Sequence, residues 1–274
     1  MRRRSGRWAS DNPKTVLEVE GLAKRYGDVW AVREMTVSLS KGGCLILLGQ
    51  NGAGKTTAMR CMSGVVRPTS GTVLVDGIDA VADPDSARAR IGMVPEIPGL
   101  YERMSARAYL DYFARIYELE DQVRVRRIGE LLDRFDLAHA GERWLGTFSK
   151  GMRQKVALIR ATLHEPRLVL ADEPTSALDP DSARVAWDYL LDLRARGSAL
   201  VVCTHDMEEA RTLAGREGTI GVMSSGVLLA AGNFAQLTAA AGLRPHQEVV
   251  DKPTLEEIYL AIVAETREAH RELA

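Results

Sequence analysis

The stretch Gly49–Thr57, GQNGAGKTT, directly follows the apolar run Cys44–Leu48 and is the most informative part of the sequence. Glycines let backbone N–H groups approach an anion closely, and the N-terminus of a following helix adds partial positive charge. In this pattern the lysine reaches the β- and γ-phosphates of a nucleotide, and the Thr56 hydroxyl can ligate Mg²⁺. The order of strand, loop and helix therefore predicts nucleotide binding by Gly49, Asn51, Gly52, Gly54, Lys55, Thr56 and Thr57.

Length and composition are those of a globular protein from a reducing compartment. The chain has 274 residues, of which 46% are hydrophobic and 27% charged, and this size is enough to bury most of its apolar surface. The net charge of −1 gives no reason to expect nucleic acid as a partner. Cys44, Cys61 and Cys203 show neither metal-site spacing nor a disulfide framework. No apolar run approaches the roughly 18 residues that span a bilayer, so membrane association is expected through a partner or through the protein surface.

The hydrophobic pattern predicts an α/β fold with a helical insertion. Alternation in Val16–Val19 and in Met35–Leu39 predicts antiparallel strands on the N-terminal side of the loop. From Ser105 to Leu137 the period becomes helical. One stripe of this segment is expected to pack in the core, and it comprises Tyr109, Tyr112, Phe113, Ile116 and Tyr117. The predicted fold class is therefore an α/β P-loop NTPase with a RecA-like core, N-terminal antiparallel strands and an inserted helical subdomain.

The same pattern predicts the division of the chain. Residues 1–14 are expected to form a flexible leader, and residues 15–237 a nucleotide-binding domain whose helical subdomain spans about 97–150. Residues 238–274 are expected to form a C-terminal helical appendage. Its amphipathic stripe consists of Leu255, Ile258, Tyr259, Ile262 and Val263.

Two acidic residues follow a second apolar strand. The run Leu168–Ala171 is typical of a buried parallel strand. Asp172 and Glu173 come at its C-terminal end, the edge where such sheets place ligands. Asp172 is expected to hold Mg²⁺ through water. Glu173 is expected to take a proton from the attacking water, a role worth roughly 10²–10⁴ in rate.

The order of these motifs resembles the nucleotide-binding subunits of ATP-binding-cassette (ABC) transporters, and the likeness covers about Val16–Leu237. The family signature LSGGQ is similar to Phe148–Met152, FSKGM, in which Ser149 and Gly151 match. Ser149 is also predicted to cap a helix that begins near Gly151, so that its hydroxyl, backbone N–H groups and the helix dipole can face a phosphate.

The resemblance implies roles for further residues. Ser176–Asp179, SALD, resembles the loop that crosses the dimer interface, and Asp179 is counted among the nucleotide-binding residues. His205 is similar to the switch histidine that contacts the γ-phosphate and steadies the catalytic Glu173. Tyr26 is similar to the aromatic residue that stacks on adenine, and a buried strand tyrosine is the alternative.

Glu96 departs from the family pattern. It follows Ile91–Pro95, where the family usually has a glutamine that senses Mg²⁺ and links to the membrane subunit. A glutamate can still ligate Mg²⁺ or its water, but it adds negative charge near the γ-phosphate. We expect weaker ATP binding or a stricter coupling of turnover to closure.

The resemblance implies that two copies sandwich two ATP molecules, with Mg²⁺, head to tail. Hydrolysis would then drive a separate integral membrane permease from the cytoplasmic face of the cell membrane. The cleft beside residues about 97–145 is the expected docking site for a short helix of that permease. Glu96, the FSKGM stretch and the tail Pro253–Tyr259 resemble the branch of drug, sodium or polysaccharide exporters.

Two other functions stay open at this point. One is a soluble ABC-type ATPase of iron–sulfur assembly; a DNA-repair ATPase is disfavoured because only a strand region and a helical insertion, and no long coiled coil, separate Thr57 from Phe148. The other is a non-catalytic nucleotide switch, against which the intact Lys55, Asp172, Glu173 and His205 argue. The sequence leaves open the transported substrate, the direction of transport and the role of the arginine-rich N-terminus.

Overall fold

The computed structural model describes residues 15–215, 218–242, 255 and 257–263, and the predicted leader lies outside them. The strands are β1 (Thr15–Tyr26), β2 (Val29–Ser40), β3 (Cys44–Leu48), β4 (Ser70–Val75), β5 (Ile78–Asp79), β6 (Ile91–Val94), β7 (Leu168–Asp172), β8 (Ala199–Thr204), β9 (Thr219–Ser224) and β10 (Val227–Gly232). The α-helices are α1 (Lys55–Met62), α2 (Pro84–Arg88), α3 (Ala106–Ile116), α4 (Asp121–Arg134), α5 (Lys150–Thr162), α6 (Pro180–Ala195), α7 (Met207–Ala214) and α8 (Phe234–Ala240). Residue 255 and residues 257–263 are helical as well.

These strands form one mixed sheet in the order β5-β4-β1-β2-β10-β9-β3-β8-β7-β6. The five strands from β9 to β6 run parallel to one another. β1 pairs antiparallel with β2 and β4, which confirms the predicted antiparallel strands. Parallel strands end at one edge of the sheet, so the loops after β3, β6, β7 and β8 lie together.

The strand β3 is buried on both faces of the sheet. Leu45 and Leu47 belong to the core that contains the buried residues of α1, whereas Ile46 and Leu48 belong to the core on the other face. Each large apolar side chain buried in this way contributes roughly 1.5–3 kcal/mol to folding. The phosphate loop therefore starts from one of the most firmly held strands of the molecule.

The helices α3 and α4 lie between β6 and α5 in the chain, and the aromatic stripe of α3 is only partly buried. Tyr109 is fully buried, but Tyr112 is 45% and Ile116 is 55% exposed. The prediction of core packing is wrong for these two residues. A helical period identifies an apolar face, but it does not show how much of that face other elements cover.

The C-terminal part packs on the same core as Ile46. Leu237, Ile258 and Ile262 are buried there, and α8 crosses the predicted boundary between residues 237 and 238. The division into domain and appendage, like the flexible leader, stays a prediction.

All three cysteines are free and buried. Burial raises the pKa of the Cys44 and Cys61 thiols to about 11. Burial also raises the pKa of Cys203 well above its ordinary value.

Candidate active site

The phosphate loop joins β3 to α1, as predicted, and is backed by the strand β2. Gly54, the residue before α1, has φ +100°, and a Cβ there would lie 2.2 Å from the Ala31 carbonyl oxygen. Only glycine fits this close approach and this left-handed backbone. The loop is thereby fixed against β2.

Lys55 is the first residue of α1, and its side chain is buried. Its ammonium group donates hydrogen bonds to the carbonyl oxygens of Gly49, at 2.5 Å, and of Gln50, at 3.3 Å. The cation is therefore held at the loop, where an anion in the adjoining cavity would meet it.

A cavity of about 390 Å³ opens at this edge of the sheet. Its lining includes ten of the predicted site residues, namely Asn51, Gly52, Gly54, Lys55, Thr56, Thr57, Glu96, Asp172, Glu173 and His205. The lining also includes Ala31, Gln50, Ala53 and Ser176, which were not among the predicted site residues. Ser176 was signalled by its place in the SALD motif, but Ala31 has no local signal because β2 brings it to the loop from outside the motif.

The carboxylate of Asp172 lies deep in the cavity. Burial raises its pKa, and the negative charge of Glu96 raises it further. The Thr56 hydroxyl and the Lys55 ammonium oppose this rise. Thr56, Glu96 and Asp172 thus bring a hydroxyl and two carboxylates to one wall, and oxygen ligands of this kind are the ones that Mg²⁺ prefers.

Glu173 and His205 form a pair at the cavity. The His205 Nδ1 lies 2.8 Å from the Glu173 Oε1. Glu173 is largely buried and His205 is mostly exposed, with side-chain exposures of 12% and 64%. Burial raises the pKa of Glu173, and the hydrogen bond with His205 partly offsets that rise. A carboxylate with a raised pKa is a better proton acceptor.

The signature residues lie outside this cavity. Ser149 caps α5 by accepting a hydrogen bond from the Met152 backbone N–H at 3.2 Å, which confirms the predicted cap. A Cβ on Gly151 would lie 2.9 Å from the Ala177 carbonyl oxygen, so the signature and the SALD loop touch through their backbones. Asp179 caps α6 through the Ser182 backbone N–H, and this bond lowers its pKa.

Arg153 holds the signature loop in place, although sequence reasoning did not select it. Its guanidinium donates to the carbonyl oxygens of Phe148, at 3.2 Å, and Gly146, at 3.1 Å. It also pairs with Glu102 at 2.9 Å. No motif signals this role, because the partners are set by the folded loop.

Tyr26 ends β1 outside the cavity and is 49% exposed, which excludes the buried strand tyrosine that the sequence left open. The Lys24 ammonium lies 4.9 Å from the centre of its ring. Tyr26 is therefore a partly exposed residue whose ring already has a cation over it.

A family model described as ABC transporter matches residues 32–176, just over half of the chain. The chain belongs to the ABC transporter family. It is 37% identical to the ABC transporter ATP-binding protein NatA of Bacillus subtilis, over 72% of this chain and 82% of that protein. It is 36% identical to the daunorubicin resistance ATP-binding protein DrrA3 of Streptomyces coeruleorubidus, over 83% of this chain and 71% of that protein.

Solved structures agree with this assignment. The structure of an ATP-binding subunit of an ABC transporter matches with a TM-score of 0.83 at 28% identity, covering 91% of this chain and all of that one. The predicted α/β P-loop fold is thus confirmed. The chain is an ATP-binding, ATP-hydrolysing ABC subunit. Subunits of this family work with membrane-embedded partners.

Proposed function

We propose that this ABC subunit powers an exporter from the cytoplasmic face of the membrane, with Glu173 as the base of ATP hydrolysis. The observation that carries the catalytic part is the Glu173–His205 pair beside Lys55 in one cavity. Among the residues that the structure describes, no helix has both the length and the apolar character needed to cross a bilayer. A separate permease is part of the proposal because subunits of this family work with membrane-embedded partners.

In the proposed reaction, Glu173 accepts a proton from the water that attacks the γ-phosphate. His205 orients the Glu173 carboxylate through their hydrogen bond and contacts the γ-phosphate. Lys55 and the loop N–H groups stabilise the charge on the transferred phosphoryl group, since catalysis of this reaction is mostly positioning and electrostatic stabilisation. Tyr26 stacks on the base of the nucleotide.

The oxygen donors of Thr56, Asp172 and Glu96 fit a magnesium ion bound with the nucleotide. When bound, Mg²⁺ neutralises negative charge on the phosphates. Glu96 brings a full negative charge to this wall, and its effect on the pKa of Asp172 supports a direct electrostatic influence on the site.

A second copy of the chain is proposed to complete the site. Ser149 and Asp179 are exposed helix caps outside the cavity. The Ser149 hydroxyl and the backbone N–H groups at the start of α5 suit a phosphate presented by another subunit, whereas the Asp179 carboxylate caps α6. Each nucleotide would then lie between the phosphate loop of one copy and the signature of the other.

A groove beside α3 is the proposed docking site for a short helix of the permease. Its cavity of about 170 Å³ includes Val65, Met93, Phe113 and Arg160 in its lining. Arg160 donates to the Met93 carbonyl oxygen at 2.9 Å and lies 5.5 Å from the centre of the Phe113 ring. The exposed Tyr112 on α3 extends the apolar surface, and exposed apolar patches of this kind mark interaction sites.

The direction of transport is proposed from the relatives. One is named for daunorubicin resistance, and another, 34% identical, is the Nod factor export ATP-binding protein I of Burkholderia orbicola. These names favour an exporter over the soluble iron–sulfur or DNA-repair alternatives. A non-catalytic switch is not favoured, because the family hydrolyses ATP.

The decisive experiment is phosphate release by purified protein, wild type against Glu173→Gln. The amide cannot accept the proton, so kcat should fall by roughly 10²–10⁴ while ATP still binds. Size-exclusion chromatography with ATP should show the variant accumulating as a dimer. Turnover of Glu173→Gln at the wild-type rate would refute the assignment of the base.

The docking proposal has its own test. Tyr112→Glu with Ile116→Glu should lower the share of the subunit that sediments with membranes of the producing cells. Val125→Glu, at an even more exposed apolar position on α4, is the control and should sediment like wild type. Equal sedimentation of both variants would exclude this face of α3.

A further inference from the structure

Behind the cavity, one carboxylate joins the two loops that carry Glu173 and His205. Glu209, in the first turn of α7, accepts a hydrogen bond from the Thr175 hydroxyl on its Oε1 at 2.6 Å. Its Oε2 accepts one from the Thr204 hydroxyl at 3.2 Å. Thr175 and Thr204 are buried, with 5% and 0% exposure. Hydrogen bonds to an ionised carboxylate are roughly twice as strong as neutral ones.

The two threonines flank the catalytic pair in the chain. Thr175 lies two residues after Glu173, and Thr204 directly precedes His205. The bonds of Glu209 therefore tie the loop after β7 to the end of β8. The Glu173–His205 contact ties the same two segments at the cavity. Together these two ties fix the relative position of the loops at two separate points.

Glu209 is itself firmly placed. The Asp206 Oδ1 accepts from the backbone N–H groups of Glu208, at 2.8 Å, and Glu209, at 2.9 Å. The Asp206 backbone N–H donates to the Thr204 hydroxyl at 3.0 Å, which turns the hydroxyl proton toward Glu209. His205 thus lies between Thr204 and Asp206, both of which are held by hydrogen bonds.

The loop that Glu209 braces has a backbone that needs support. Glu173 has φ +48°, in the left-handed region that L-residues rarely adopt. Its backbone N–H donates to the Cys203 carbonyl oxygen at 2.9 Å. Strained residues of this kind persist at functional sites when their surroundings hold them.

We infer that Glu209 is a positioning residue for ATP hydrolysis, which aligns Glu173 and His205 by bridging Thr175 and Thr204. The inference rests on the roles proposed above for Glu173 and His205. Glu209 is absent from the cavity lining, so its influence passes through the two threonines.

The test is steady-state ATPase kinetics of Glu209→Ala. Loss of the bridge should misalign the pair, and kcat should fall about 10- to 100-fold. The KM for ATP should change by less than about twofold, because the binding contacts of the phosphate loop are untouched. Glu208→Ala is the matched control, since Glu208 is an exposed glutamate on the same helical turn, and it should behave as wild type.

A second pair of variants keeps the test independent of folding. Thr175→Ser retains the hydroxyl and should keep kcat within about twofold of wild type. Thr175→Val keeps the shape without the hydroxyl and should be slow. Because both act through one bridge, Glu209→Ala with Thr175→Val should be no slower than Glu209→Ala alone, whereas independent effects would multiply.

Two results would overturn the inference. In the first, the folded fraction of Glu209→Ala has the wild-type kcat and the variant differs only in a lower thermal unfolding midpoint. That result would show that Glu209 has a purely structural role. Glu173→Gln, assayed in parallel, separates this failure from failure of the proposed function. If Glu173→Gln is inactive while Glu209→Ala is not, the inference alone fails. If Glu173→Gln is active, the base assignment and this inference fail together.

Discussion

The two regions of this ABC subunit that we propose to face nucleotide are built in different ways. The loop region surrounds one cavity and joins Lys55, Asp172 and His205, which are far apart in the chain but meet at one sheet edge. The signature region around Ser149 and Gly151 is formed mainly by its own neighbourhood, through the cap of α5 and the bonds of Arg153. It faces outward rather than into the cavity.

In the proposed two-copy site, this difference separates the contacts that one chain supplies alone from those that require a second copy. Changes in the loop region should act on nucleotide binding by a single subunit. Changes in the signature region should leave that binding intact and act only when two subunits meet.

Lys55→Ala should give the largest effect in the loop region. Removing the ammonium deletes charge-assisted contacts to phosphate, each worth about 1.5–3 kcal/mol, so the Kd for ATP should rise by roughly 100-fold or more. A fluorescent ATP analogue titrated into the isolated subunit measures this. Lys41→Ala, an exposed lysine in the β2–β3 turn, is the control. A Kd within twofold of wild type for Lys55→Ala would contradict the assignment.

Complementation tests the division between the regions directly. Ser149→Arg should bind ATP like wild type yet be nearly inactive, because the bulky side chain blocks the seam between subunits. In a mixed dimer, the intact Lys55 of the Ser149→Arg chain meets the intact signature of the Lys55→Ala chain, so one of the two sites is complete. About half of randomly paired dimers are mixed, so the mixture should recover up to about a quarter of wild-type turnover. Failure of the mixture to recover activity would argue that each site is complete within one chain.

Glu96→Gln should change the affinity of the loop region for ATP, with a smaller effect than the two changes above. Removing a negative charge beside Asp172 should strengthen Mg²⁺-free ATP binding by roughly tenfold, while turnover stays measurable. Titration in the presence of EDTA measures this change, with Glu130→Gln on α4 as a control. Equal affinities for wild type and Glu96→Gln would show that Glu96 does not repel the phosphates.

The smallest effect is expected at a largely buried histidine outside both regions. His164 follows α5 and stacks on Tyr117, with ring centres 3.7 Å apart, while the Ile91 backbone lies beside it. Burial lowers its pKa to about 4. The unfolded chain therefore binds a proton at higher pH than the folded one, so the free energy of unfolding falls as pH drops below about 6.5.

Urea unfolding at pH 7.5 and pH 5.5 measures how much His164 contributes to the pH dependence of the free energy of unfolding. The wild type should lose about 1 kcal/mol at pH 5.5 through His164. His164→Phe keeps an aromatic ring against Tyr117 and should show a pH difference smaller by that amount. An unchanged pH difference would place the titrating group elsewhere.

The sequence predicted the loop region well because its signals are local. The phosphate loop and Asp172–Glu173 each follow an apolar strand, and parallel strands end at one edge. The bridge of Glu209 to Thr175 was not predictable, because it joins residues 34 positions apart through the packing of α7. The strand β1 runs to Tyr26, well beyond the predicted Val16–Val19, because register shifts interrupt the simple alternation.

The outer face of α3 is a second feature that the sequence predicted only in part. The period of the helix identified Tyr112 and Ile116 as apolar, which is correct. Whether such residues are covered depends on elements remote in sequence, or on a partner chain, and periodicity contains no information on either.

The buried cysteines have a practical consequence for spectroscopy. Maleimides and spin labels react with thiolates, and near pH 7 Cys44 and Cys61, with pKa values of about 11, supply almost none. A single cysteine introduced on the surface, for example in the exposed SALD loop, should therefore take up a probe selectively in the otherwise native chain. Distances between such probes would report opening and closing of the paired subunits.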